Sequence, residues 1–188
     1  MTWLLHDFKR WWTFTLAVLL AGAGWTWASR VPAAVAGAEQ IPSPREGFPA
    51  PDFTLDTLDG EAATLSAYRG RVVILNLWAS WCGPCRAEMP ALQEVYAANR
   101  ERGLDVLAVN STFQDSEPDA QAFVRQLGLD LTILLDRDGA VSRRYLLRAL
   151  PSTFFIDRRG VIRSVVIGGP MAQAVIQTKI EALLQEAP

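Results

Sequence analysis

Cysteine and histidine are nearly missing from this 188-residue chain: the cysteines are Cys82 and Cys85, and the one histidine is His6. Two cysteines separated by two residues can build neither a disulfide scaffold nor a four-thiolate zinc site. His6 precedes a long apolar run, so the globular part must do its chemistry without imidazole. No excess of one charge is present either. The net charge is −2, which gives no support to nucleic acid binding or another polyanionic partner. Residues 1–30 carry a formal +2 from Lys9, Arg10 and Arg30 against Asp7, which leaves −4 for the remainder.

With half of its residues apolar, the chain has the size for one well-buried domain plus an extra segment. The extra segment is N-terminal. Residues 11–28 run without a charge over 18 positions, close to the ~20 needed to cross a bilayer. Trp11 and Trp12 stand at one end and Trp25 and Trp27 at the other, as interfacial rings do. This predicts a transmembrane signal anchor at 11–28 behind a cytoplasmic N-terminus, residues 1–10. Lys9 and Arg10 would hold that N-terminus inside and place the rest outside the cytoplasm. A cleaved signal peptide is the alternative, because 34–36 and 36–38 both read small-x-small. Either way the compartment is extracytoplasmic, and membrane attachment runs through the N-terminal helix.

Residues 29–51 hold five prolines among alanine and glycine and read as an extended linker, so the domain is placed at 52–188. Asp59-Gly60 between short alternating runs predicts a hairpin over 53–65. Residues 72–78 (VVILNLW) form an apolar run suited to a strand covered on both faces, and it leads straight to the cysteines. A helix begins at the cysteines and stops near Gly103. Further strands are expected at 104–110 and 131–136, with helices at 118–127 and 140–147. A hairpin over 153–167 turns at Asp157-Arg158-Arg159-Gly160, and an amphipathic helix closes the chain. The order predicts an α/β fold with a mixed sheet.

Trp81-Cys82-Gly83-Pro84-Cys85 therefore lies where a buried strand gives way to a helix. The positive end of that helix stabilises a thiolate on Cys82, and such thiols fall to pKa values of roughly 3.5–7.5. Cys82 is the candidate nucleophile and Cys85, one turn later, the candidate resolving thiol. Pro84 suits a first helical turn, and Gly83 leaves the approach to Cys82 open. Trp78 reads as core and Trp81 as a contact for the partner molecule.

The stretch WASWCGPCRAEMP at 78–90 resembles the thioredoxin-superfamily active site. Together with PDFTLDTLDG, LPSTFFID and GVIRSVVIGG, the pattern is similar to the membrane-anchored TlpA/ResA/CcmG branch, which is AhpC/TSA-redoxin-like, over residues 50–187. The resemblance implies a thioredoxin-like fold with an N-terminal β-hairpin and a central βα insertion near 117–136. It implies a cis-proline at Pro151, with Leu150 offering its backbone to the client. Pro90 would kink the long helix. Glu88 matches the acidic residue that this branch keeps near the thiols, and its carboxylate is a candidate proton acceptor for Cys85. Asn76 stands where cytoplasmic thioredoxins carry a buried aspartate, and an amide cannot act as a base.

The activity implied is thiol–disulfide exchange on protein clients, such as an apocytochrome c in cytochrome c maturation, with electrons from a membrane donor of thiol-reductase type. No cofactor or metal is expected beyond the redox-active disulfide. Oxidising or isomerising exchange, a thiol peroxidase and a tethered copper-binding module are the competing readings.

Overall fold

The computed structural model describes residues 3–28 and 41–186, and the chain divides into two compact units, Met1–Glu39 and Gln40–Pro188. In the first unit, Trp3–Ala28 forms one helix, α1, of 26 residues. The run at 11–28 contains no proline and is rich in the good helix formers leucine and alanine. The hydroxyls of Thr15 and Thr26 donate to carbonyls three and four residues back, at Trp12 and Trp11 and at Ala23 and Gly22. Yet no helix among the described residues is long and apolar enough to cross a membrane. At ~1.5 Å per residue α1 has the length, so the shortfall is in apolarity. Within 11–28, four tryptophans, three threonines and two glycines offset the aliphatic residues. The expected spanning helix at 11–28 is corrected to a helix of lower apolarity. The small-residue sites at 34–38 and the linker residues 29–40 lie outside the described residues.

The end of the proline-rich stretch belongs to the second unit. Backbone amides need partners when they lie against a protein surface, and residues 43–50 find them on the domain. Gly47 N donates to Ile162 O (2.8 Å), Ala50 N to Gly160 O (2.9 Å), and Phe48 O accepts from Ile162 N (2.9 Å). Ala50 is buried. The domain thus takes in the chain from about Ser43, ahead of the expected start at 52.

The elements of this domain are β1 (Thr54–Thr57), β2 (Ala62–Thr64), β3 (Val72–Trp78), α2 (Gly83–Asn99), β4 (Leu104–Asn110), α3 (Glu117–Leu127), β5 (Thr132–Leu135), α4 (Ala140–Arg144), β6 (Ser152–Ile156), β7 (Ile162–Ile167) and α5 (Gln173–Gln185). They form one seven-stranded sheet in the order β2-β1-β5-β4-β3-β6-β7. β3, β4 and β5 run parallel, while β6, β7 and the β1–β2 hairpin are antiparallel to their neighbours. This is a thioredoxin-like α/β fold. The α3–β5 insertion adds a strand beside β4, and the N-terminal hairpin pairs with that strand. The two additions therefore form one extension of the sheet.

Every residue of β3 is buried, as a central strand covered on both faces requires. Side chains alternate across a strand, and the core divides accordingly. Val72, Ile74 and Trp78 pack with α2, α3 and α5 residues such as Leu92, Phe123 and Ile180. Val73, Leu75 and Leu77 pack on the other face with Phe53, Val141 and Tyr145. Asn76 shares the parity of Ile74 and Trp78, so its amide faces α2.

Candidate redox site

The chain leaves β3 at Trp78, turns through Ala79–Trp81 and enters α2 with Cys82 as its N-cap. Cys82 Sγ accepts a hydrogen bond from Cys85 N at 3.1 Å, satisfying one of the unpaired first-turn amides. Cys82 and Cys85 form a disulfide, with Cα atoms 5.2 Å apart. Pro84 occupies the first turn, where its missing N–H leaves no gap in the helix. Pro90 lies inside α2. Both cysteines are more enclosed than the sequence predicts for a surface nucleophile, Cys82 at 4% exposed and Cys85 at 1%.

Access to Cys82 comes through a groove of about 630 Å³ lined by Trp81, Gly83 and Pro84 on one side and Leu146, Ala149 and Leu150 on another. Four of the residues expected to contact a client, Trp81, Gly83, Pro84 and Leu150, therefore meet around the nucleophile. Pro151 differs. The Leu150–Pro151 bond is cis as expected, and a second cis bond, Gly169–Pro170, has no counterpart in the sequence reading. Pro151 itself is buried, its carbonyl accepts from Gly168 N at 2.8 Å, and its ring packs toward Gly169. It supports the groove wall from behind, and Leu150 is the residue on the groove surface.

Glu88 lies one helical turn beyond Cys85 and is 1% exposed. Oε1 accepts from Asn76 Nδ2 (3.0 Å) and Thr153 Oγ1 (3.2 Å), and Oε2 accepts from the Met171 amide (2.9 Å). Asn76 Nδ2 also donates to Thr153 Oγ1 at 2.8 Å, a pair made possible by the β3–β6 register that sets Asn76 opposite Thr153. Burial pushes the Glu88 carboxyl above its ordinary value, against the opposing hydrogen bonds from Met171, Thr153 and Asn76. A carboxyl so placed holds a proton more firmly than one in water. Asn76, though no base, positions the group that can be one.

A second carboxylate braces the loop before Cys82. Asp115 accepts from Ser80 N and Ser80 Oγ (both 2.6 Å), Asn110 Nδ2 (2.8 Å) and Ser116 N (2.9 Å). Partial burial pushes its carboxyl up, but these donors outweigh that and hold it below the usual range. Next to it, Gln114 O takes the indole N–H of Trp81 at 3.0 Å, fixing a side chain that is 61% exposed. Asp115, Thr153, Met171 and the groove residues Phe113 and Leu146 were not among the residues singled out from sequence. The resemblance that places Glu88 near the thiols and Asn76 at a buried aspartate position is the signal that pointed toward this network. Among the described residues no three His, Cys, Asp or Glu side chains gather as a metal site would need.

Comparison with known proteins agrees with this geometry. The family described as AhpC/TSA matches residues 47–165. The chain is 36% identical over 137 residues to the thiol-disulfide oxidoreductase ResA of Geobacillus kaustophilus, covering 73% of this chain and 77% of that one. It is 34% identical over 175 residues to the thioredoxin-like protein YneN of Bacillus subtilis, covering 92% and 98%. Among solved structures, a secreted Mycobacterium tuberculosis disulfide oxidoreductase homologous to E. coli DsbE superposes with a TM-score of 0.63 at 29% identity, covering 70% of this chain and 96% of that one.

Proposed function

We propose, from the premise that this chain belongs to the AhpC/TSA family and carries a thioredoxin-like fold, that it is a thiol–disulfide oxidoreductase that reduces disulfides of client proteins. The observation that carries this reading is the Cys82–Cys85 disulfide at the head of α2, opening on a groove and backed by a buried carboxyl.

In the reduced enzyme the Cys82 thiolate attacks one sulfur of a client disulfide, and the other client sulfur leaves as a thiolate and takes a proton. Leu150, on the groove wall, offers its backbone to the client chain. Glu88 accepts the proton of Cys85, whose thiolate then attacks the Cys82 sulfur of the mixed disulfide. The second client sulfur leaves, the Cys82–Cys85 disulfide closes, and two electrons have passed to the client. A membrane donor of thiol-reductase type restores the dithiol. An apocytochrome c is a client of the right kind, since its haem-attachment cysteines must be reduced.

We also place the domain outside the cytoplasm. The support is the order of Lys9 and Arg10 followed by the uncharged run 11–28, together with the secreted character of the Mycobacterium relative.

A Cys85→Ser variant tests the function. It should accumulate mixed disulfides through Cys82 with protein clients, which reducing agents release. Absence of any such adduct, with Cys82 still alkylatable, overturns the reading. The reduction potential of the pair decides direction, because ~30 mV corresponds to a tenfold change in the equilibrium.

A further inference from the structure

The groove that reaches Cys82 carries charge of one sign. Arg143 and Arg148 line it, and no aspartate or glutamate does. Among the described residues Arg148 has no hydrogen-bond or ion-pair partner, and the Arg143 guanidinium donates only to the backbone carbonyl of Asp138, at 2.9 Å. The ion pairs of the domain, such as Arg102–Glu181 and Arg137 with Asp56 and Glu117, involve neither. Asp115, beside the groove residue Gln114, is committed to Ser80, Asn110 and Ser116. Two uncompensated cations therefore flank the nucleophile in a domain whose overall balance is negative.

The same groove exposes large apolar side chains. Trp81 is 61% exposed, Leu146 53% and Phe113 48%. Trp81 is held in place through its indole N–H, so a ligand would not have to order it. Leu146 sits at φ +52°, a left-handed conformation that side chains larger than glycine rarely adopt. The backbone at the end of α4 therefore holds this side chain out on the groove rim, where it is 53% exposed.

We propose that this groove selects acidic client polypeptides: an extended segment with Asp or Glu beside its disulfide cysteine, the carboxylates meeting Arg143 and Arg148, and an apolar or aromatic side chain lying among Trp81, Phe113 and Leu146. The proposal rests on the redox reading and names its substrate class. Paired rim charges contribute modestly to affinity and more to the rate of encounter and to the rejection of like-charged partners.

The full-length chain in neutral detergent, reduced beforehand, is presented with two disulfide peptides identical except that Asp/Glu or Lys/Arg flank the cystine and a phenylalanine. The acidic peptide should be reduced about tenfold faster at low salt, with the gap closing near ~1 M, where the screening length is ~3 Å. Arg143→Glu with Arg148→Glu should invert the preference. Arg148→Glu alone, which removes no hydrogen bond among the described residues, should lessen it and serves if the double variant misfolds by circular dichroism. Equal rates for the two peptides, or a preference that survives both reversals, overturns the proposal. So does reduction of glutathione disulfide as fast as the acidic peptide, which would assign the cations to small anionic disulfides. Neutral hydroxyethyl disulfide separates the two levels: if the wild type cannot reduce it, the redox reading fails, and if it can while the peptides react alike, only the acidic selection fails.

Discussion

Asn76 on β3 donates through Nδ2 to Glu88 on α2 at 3.0 Å and to Thr153 on β6 at 2.8 Å, tying three elements to one buried carboxyl behind the cysteine pair. Among the described residues Asn76 Oδ1 has no hydrogen-bond partner. An unpartnered acceptor beside a carboxyl of raised pKa suits the protonated form, since rotating the amide would let Oδ1 accept from a Glu88 O–H. The network can therefore hold Glu88 either with or without its proton.

Glu88→Gln tests this in two readouts. Because burial raises the Glu88 pKa above 4.5, the folded state keeps a proton that the unfolded chain has released. The stability tied to this carboxyl is full below the unfolded value and is lost as pH rises through the folded one. The glutamine variant, which cannot titrate, should gain melting temperature relative to wild type as pH climbs from 4.5 through that window and then hold a constant difference. In client reduction it should be about 100-fold slower with a flattened pH profile. A rate and profile equal to wild type would leave Glu88 with a structural role only.

Gly169→Ala should injure the same site from the other side. Its Cβ would fall 2.9 Å from Glu88 Oε2 and 2.9 Å from Pro151 Cγ, closer than Cβ contacts come, so one of these groups must shift. Overpacking of this kind costs about 1–3 kcal/mol, and the displaced Glu88 should slow client reduction as well. Gly168→Ala is the comparison. Its Cβ meets open space but sits at φ +83°, so it should lower stability in denaturant titrations without changing the redox rate.

What the sequence disclosed and what it hid follow from the range of the interactions. β3 and β4 have the bounds read from their apolar runs, and Cys82 caps α2 because the strand ends four residues before it. Those are local patterns. The Asn76–Thr153 hydrogen bond joins positions 77 residues apart, and no periodicity states that register. Met171 reaches Glu88 from a segment whose Gly-Gly-Pro reads only as a turn. The prolines before residue 52 read as an extended linker, yet the described segment turns on itself, with Ser43 N donating to Pro49 O (3.0 Å) and Phe48 N to Arg45 O (3.2 Å), and its amides and carbonyls serve β7 and the β6–β7 turn, so the stretch from 43 is docked. In α1 the tryptophans that marked two belts are the same residues that lower its apolarity.

Leu146→Gly separates stability from docking. α4 ends in the two hydrogen bonds of a Schellman motif, Leu147 N to Ser142 O (2.9 Å) and Leu146 N to Arg143 O (3.1 Å), which place Leu146 in the left-handed position that glycine normally fills. Glycine there relieves the Cβ strain, partly offset by greater freedom in the unfolded chain, and half of the leucine surface is already in solvent. Unfolding free energy should therefore stay level or rise by up to about 1 kcal/mol. The groove, however, loses an apolar lip, so KM for a polypeptide disulfide should rise severalfold while reduction of hydroxyethyl disulfide, which has no polypeptide to lay in the groove, proceeds at the wild-type rate. A variant that melts lower and reduces peptides normally would show that Leu146 serves the fold and not the client.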